Sequence, residues 1–115
     1  MNHLRVDFDD GRAVAQPTAT EITANTARAM FAELRELGSE SKAILLDCES
    51  VTLIDSTGIG ELVQCHKHLR GAGAVLAVCG LAPHLQELVR MMRLERLMDF
   101  IPDRNAGLER LRTIA

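Results

Sequence analysis

The sequence is short of aromatic side chains, with three Phe, no Trp and no Tyr. Modules that stack bases on exposed rings are thereby disfavoured, and any core must be assembled from Leu, Ile, Val, Ala and Met. Charge of one sign is lacking too: 13 basic residues against 16 acidic ones give a formal net charge of -3, and the basic residues are scattered. That leaves no electrostatic footprint for nucleic acid or for an anionic membrane. No apolar run approaches the roughly 18 residues of a spanning helix, and Met1-Asn2-His3-Leu4-Arg5 carries no signal-peptide stretch, so the expected location is cytoplasmic. Cys48, Cys65 and Cys79 are odd in number and have no Cys-x-x-Cys spacing, which reads as small buried hydrophobes in a reducing compartment. Cys65, His66 and His68 lie close together, but adjacent helical positions face different ways and no second ligand pair is visible. Neither a metal nor a cofactor is expected.

What is present suffices for a core. At 47% hydrophobic and 25% charged, 115 residues can bury an apolar interior without disulfides or metal, so one domain over residues 1–115 is expected. Leu4, Val6 and Phe8 alternate with Arg5, Asp7 and Asp9 at the period of a half-buried strand, Asp10-Gly11 suits a two-residue turn, and Arg12 to Gln16 returns as a second strand. After Pro17 a helix is expected from about Thr20, capped by Thr20 or Thr23, with Ala27, Met30, Phe31 and Leu34 inside and Gly38 as a left-handed terminator. Residues 43–48 and 74–79 are near-continuous apolar runs, the mark of strands covered on both faces. A helix after Pro83 should turn Leu85, Leu88, Val89 and Met92 inward, with Met91-Met92 as packing residues. Arg90, Arg93 and Arg96 should form a solvated helical stripe, with docking of an acidic partner as the other reading. A short strand near residues 99–102 and a last helix with Leu108 and Leu111 inside complete the chain.

Strands alternating with amphipathic helices imply a mostly parallel sheet, and the opening hairpin adds an antiparallel pair. The fold class is therefore α/β, with a mixed sheet of four to five strands and about four helices packed mainly on one side.

The chain turns on Val51-Thr52-Leu53-Ile54-Asp55-Ser56-Thr57-Gly58-Ile59-Gly60-Glu61-Leu62. An apolar run stops at Asp55-Ser56-Thr57-Gly58, after which Ile59, Leu62, Val63 and Leu69 recur on one helical face, so the polar tetrad should start a helix. The simplest reading is a capped helix, since Asp, Ser and Thr all accept from free backbone N–H groups. The other is functional: two hydroxyls and a carboxylate at the positive end of a helix dipole are placed to become, or to meet, a phosphate. The glycines at 58 and 60 would let another surface approach the backbone.

This segment, read from Asp47 through Gly60, resembles the signature of STAS domains, in particular the bacterial anti-sigma factor antagonists. The likeness continues through Gly71-Ala72-Gly73, Gly80-Leu81-Ala82-Pro83 and Met92-Arg93-Leu94-Glu95-Arg96-Leu97, covering roughly residues 40 to 112. It implies a non-enzymatic regulator of transcription that acts by partner switching. Such a protein binds an anti-sigma factor that is also a serine kinase of the histidine-kinase-like ATPase type, and phosphorylation in the motif switches it off. Carried onto this chain, the acceptor would be Ser56, with Thr57 as second candidate. Asp55 would orient the hydroxyl and the first turn, and Asp55, Ser56, Thr57, Gly58, Ile59, Gly60 and Glu61 would meet the partner. A phosphatase would reset the switch.

One departure bears on the chemistry. Where the family often has Gly-x-x-Asp, this chain has Pro17-Thr18-Ala19-Thr20, so Thr20 replaces an acid near the motif unless Glu21 takes its place. Two other classes compete with this reading. A serine hydrolase would want Gly-x-Ser-x-Gly, and Ile54-Asp55-Ser56-Thr57-Gly58 lacks the first Gly; His66, read as part of the buried face, and His68, read as solvated, lie downstream on the same helix and face away. The stronger rival is a scaffold or adaptor subunit of a signalling or transport assembly without a phosphoswitch.

Overall fold

The hairpin forms as its sequence dictates. In the computed structural model, which describes residues 2–114, β1 (Leu4–Asp9) pairs antiparallel with β2 (Arg12–Pro17) from Leu4↔Pro17 to Asp9↔Arg12. Asp10 and Gly11 take φ of 54° and 80°, the left-handed pair that a tight two-residue turn needs. A two-residue strand, β3 (Glu21–Ile22), follows, then α1 (Ala27–Glu36), β4 (Ala43–Asp47), β5 (Leu53–Ile54), α2 (Ser56–Gly71), β6 (Val75–Cys79), α3 (Pro83–Met91), β7 (Asp99–Ile101) and α4 (Arg104–Ile114). The main sheet has five strands in the order β1-β2-β4-β6-β7, mixed as expected, with every pairing beyond the hairpin parallel. β3 and β5 form a separate parallel pair beside it.

All five residues of β4 are buried, and successive side chains go to opposite faces. Ile44 and Leu46 join Ala13, Ala15, Leu76 and Val78 under α1, α2 and α3, while Leu45 joins Val14, Ala77 and Cys79 under α4. Three helices thus cover one face and one covers the other. The inner stripe of α1 is Ala27, Met30, Phe31 and Leu34, as its spacing predicts. Two buried polar groups of the sheet hold α4 and the neighbouring turns in place. Arg12 donates through Nε to the Asp9 carbonyl (3.1 Å) and through Nη1 to the Leu108 carbonyl of α4 (2.8 Å). Asp47 accepts from Glu49 N and from Arg104 Nε, each at 3.1 Å.

Several expectations are corrected. α1 begins at Ala27, not near Thr20, because Glu21 and Ile22 are drawn into β3. Neither Thr20 nor Thr23 caps the helix: Thr26 occupies the cap position, and its Oγ1 turns back to accept from Thr23 N and donate to the Glu21 carbonyl. Gly38 is not left-handed. It lies in a 3-10 turn after α1, and a Cβ there would stand 2.7 Å from Leu69 Cδ2, so smallness and not backbone freedom is what the position needs. Met91 and Met92 are not core: they are 73% and 48% exposed, because α3 ends at Met91 and Arg93 takes a left-handed φ of 57°. For the same reason Arg90, Arg93 and Arg96 do not share one helical stripe.

The three cysteines are free and buried. Burial pushes the Cys65 and Cys79 thiols up from 9.0 to about 12, and raises Cys48 further still. Below pH 9 the folded and unfolded chains hold these protons alike; above it only the unfolded chain releases them, so stability is lost as pH climbs from 9.0 towards 12. Native protein at pH 8 should leave all three thiols unreactive to Ellman's reagent, with full reaction after guanidinium denaturation, and the urea midpoint should fall steadily above pH 9.

Candidate functional site

The Asp-Ser-Thr-Gly motif lies where the sheet's parallel strands end. β5 delivers the chain to Asp55, whose extended backbone (φ -91°, ψ -177°) places it at the cap of α2. Its carboxylate is divided between two elements: Oδ1 accepts from Gly58 N of the first turn (2.8 Å) and Oδ2 from Ala24 N in the loop before α1 (3.2 Å). Asp55 therefore orients the first turn, and its oxygens are committed to backbone N–H groups and not to the Ser56 hydroxyl. Further backbone bonds hold the start of the motif. Thr52 N donates to the Thr20 carbonyl (2.7 Å), Asp55 N donates to the Ile22 carbonyl (3.2 Å), and His84 Nε2 engages the Thr52 carbonyl (2.7 Å).

This frame divides the seven residues proposed to meet a partner. Ser56, Thr57 and Gly60 are exposed, Asp55 and Glu61 are half-buried, and Gly58 and Ile59 are buried. The two glycines differ most. A Cβ on Gly58 would lie 2.4 Å from the Ile22 carbonyl oxygen and 2.9 Å from Ile54 Cγ2, whereas one on Gly60 would meet nothing within 4 Å. The surface that approaches Gly58 is thus the protein's own β3, and Ile59 packs into the core. Beneath the first turn the apolar side chains nearly close, leaving a cavity of about 10 Å³ lined by Ile22, Phe31, Leu46, Ile59 and Leu62 among others. The outward surface consists of Ser56, Thr57, Gly60 and Glu61, flanked by Leu53, which is 43% exposed on β5 and was not singled out from the sequence. Its place beside the motif, one residue before the buried Ile54, is the alternation that could have marked it.

Residues considered for other chemistry are not gathered here. His66 is half-buried, and desolvation, with the Arg70 guanidinium as the next cause, holds its imidazole below the usual range; His68 is exposed. Among the described residues no cluster of His, Cys, Asp or Glu could hold a metal ion, and no helix is long and apolar enough to cross a membrane. Thr20 is exposed, and Glu21, exposed on β3, sits in register with Leu53.

The family model described as Mlab, STAS domain, matches residues 17–101, which takes in β3, the motif and everything to the end of β7. The chain belongs to the STAS domain family. Solved structures share the fold over nearly the whole STAS domain. A candidate anti-sigma factor antagonist from Thermotoga maritima superposes with a TM-score of 0.85 at 17% identity, covering 96% of each chain. An anti-sigma factor antagonist from Mycobacterium paratuberculosis gives 0.83 at 20% identity, covering 95% of this chain and 92% of its own. A sulfate transporter family protein from Wolinella succinogenes gives 0.80 at 14% identity, with 92% and 88% covered. At such identities the likeness speaks for the fold. Antagonists of the STAS family are generally non-enzymatic.

The glycine asymmetry is directly measurable. Gly58→Ala should cost about 1–3 kcal/mol, the usual penalty for forcing an atom into a packed site. Gly60→Ala should be neutral or stabilise by up to about 1 kcal/mol through helix propensity. Chemical denaturation of the two variants beside the parent checks both.

Proposed function

We propose that this STAS domain is an anti-sigma factor antagonist: a cytoplasmic protein that binds an anti-sigma factor with serine kinase activity, releases a sigma factor, and is switched off by a phosphate on Ser56, with Thr57 as the second acceptor. The observation that carries the reading is the state of the motif's oxygens. The Asp55 carboxylate is occupied by Gly58 N and Ala24 N, while the Ser56 and Thr57 side chains stand exposed at the helix start and enter no hydrogen bond among the described residues. A kinase can reach them, and the helix terminus tolerates the charge of about -1.5 to -2 that a phosphate adds. An apolar or acidic partner surface pressed against the same turn would not. The partner contact is assigned to Ser56, Thr57, Gly60 and Glu61, with Asp55, Gly58 and Ile59 holding them from within.

A second reading is a scaffold subunit of a larger assembly without a phosphoswitch. Thr20, where the family often carries an acid, favours it, as does the shared fold with a protein of the sulfate transporter family.

Charge separates the two. Ser56→Ala should change affinity for the kinase partner by about 1 kcal/mol or less. Ser56→Glu should weaken it by about 2–5 kcal/mol, or roughly 30- to 4,000-fold in Kd, because it leaves a buried charge unpaired in the interface. The glutamate sits at a helix N-terminus, so the variant's melting temperature should hardly change. Calorimetric titration of both variants, with thermal melts as control, is the measurement. Equal affinities would remove the switch and leave the scaffold.

The missing acid gives a further expectation. With the cognate kinase and ATP, mass spectrometry should locate phosphate on Ser56 before Thr57, and Thr20→Asp should speed the reaction. Phosphate on Thr57 alone would contradict the assignment.

A further inference from the structure

Among the described residues, the two ring nitrogens of His66 are the only buried side-chain polar atoms without a hydrogen-bond partner. Folded proteins seldom leave such groups unpaired. His66 stands on the flank of α2 in line with the half-buried Val63 and the exposed Arg70, three and four residues to either side. On that flank the chain passes from the 3-10 turn Leu94–Arg96 into β7. The nitrogens are covered there with the Leu97 backbone beside them, while the rest of the ring is half-buried.

The surroundings oppose a proton on this ring. From α2 itself come Arg70 and Lys67. From the facing segment come the Leu97 backbone and the Asp99 carboxylate, which both favour the charged form. Asp99, however, is engaged elsewhere. Its register partner on β6 is Ala77, so its side chain lies on the α4 face of the sheet, where it accepts from Arg110 Nε at 3.2 Å. Glu95 and Arg96 in the turn are exposed, and Glu87 and Arg90 of α3 are paired with each other. Desolvation and two cations prevail, and the imidazole is held neutral. The segment it meets is lightly held: Arg93 is left-handed before it, β7 is a three-residue edge strand, and within residues 93–98 Leu94 and Met98 alone are buried.

We propose that His66 is a proton-operated latch: the neutral ring lets residues 93–98 close on α2, and a proton on the ring releases that turn together with β7. An imidazolium needs an acceptor or water, which the closed surface does not supply and the lifted turn does. The closed form binds the proton less well than the open one, whose histidine titrates near the ordinary 6.5, so the latch is shut above that pH and loosens as pH falls below it. One proton is involved, which limits the rise in opening to about tenfold per pH unit. Release bares Leu94 and Met98 and leaves the edge of β6 unpaired. The motif is spared, since ten residues, or about 15 Å of helix, separate Ser56 from His66. The latch is independent of whether Ser56 is phosphorylated.

Nuclear magnetic resonance on the full chain tests this. The His66 ring should titrate below 6.5. Amide protection over residues 94–101, corrected for intrinsic exchange, should lie below that of β4 at every pH, the mark of a local opening, and should fall by up to about tenfold between about pH 7.5 and about pH 5.5. His66→Gln keeps a polar side chain that cannot titrate, so it should lose this pH response while His3, His68 and His84 remain in place as controls. A ring that titrates at or above 6.5, protection over 94–101 that equals that of β4 or does not fall with pH, or an H66Q protein with the parent's response would each overturn the proposal. The first two measurements need no variant, so they decide the matter even where His66→Gln fails to fold.

Discussion

The carboxylate of Asp55 is the joint on which the motif depends. One oxygen closes the first turn of α2 and the other holds the loop that leads into α1, so a single side chain fixes two helix starts relative to each other. Capping residues are worth about 0.5–2 kcal/mol through their own helix alone. Here the same group also orders a loop that carries little regular structure. The short β3/β5 pair completes the clamp: the Thr20 and Ile22 carbonyls take N–H groups from Thr52 and Asp55, and the Ile22 carbonyl presses on the place where Gly58 has no side chain. The loop that carries the Ser56 and Thr57 hydroxyls is thereby held in one shape, at little cost to their accessibility.

The rigidity below the motif has a counterpart in its exposure above. Gly58 and Ile59 belong to the interior, and only Ser56, Thr57, Gly60 and Glu61, with Leu53 alongside, look outward. That surface is small and mostly polar. Under the proposed function, binding through so limited a patch would lean on shape and charge more than on area, and one added phosphate would then be an effective means of control.

Much of this was legible in the sequence where one signal acts alone. Asp10-Gly11 can make a tight turn almost anywhere, the run from Ala43 is too apolar for anything but a covered strand, and the spacing of Ala27, Met30, Phe31 and Leu34 marks one helix face. Most of the misses share a cause: they are decided by a neighbour distant in sequence. Thr20, Thr23 and Thr26 are all competent caps, and it is pairing of Glu21 and Ile22 with β5, some 30 residues on, that selects Thr26. Two residues are too few to show a period. Gly38 resembles a left-handed terminator until Leu69 is seen against it, and Gly58 and Gly60 are alike until Ile22 is in place. Met92 continues the apolar period of α3, yet the left-handed Arg93 ends the helix before that period can be used.

Arg12 reaches across 96 positions to the carbonyl of Leu108, and α4 alone covers the second face of the sheet. Val14, Leu45, Ala77 and Cys79 are covered by Leu111 and its neighbours on α4. Local opening that detaches α4 therefore bares an apolar sheet face and leaves the Arg12 guanidinium without the Leu108 carbonyl, which makes this one helix the element whose loss exposes the domain to aggregation.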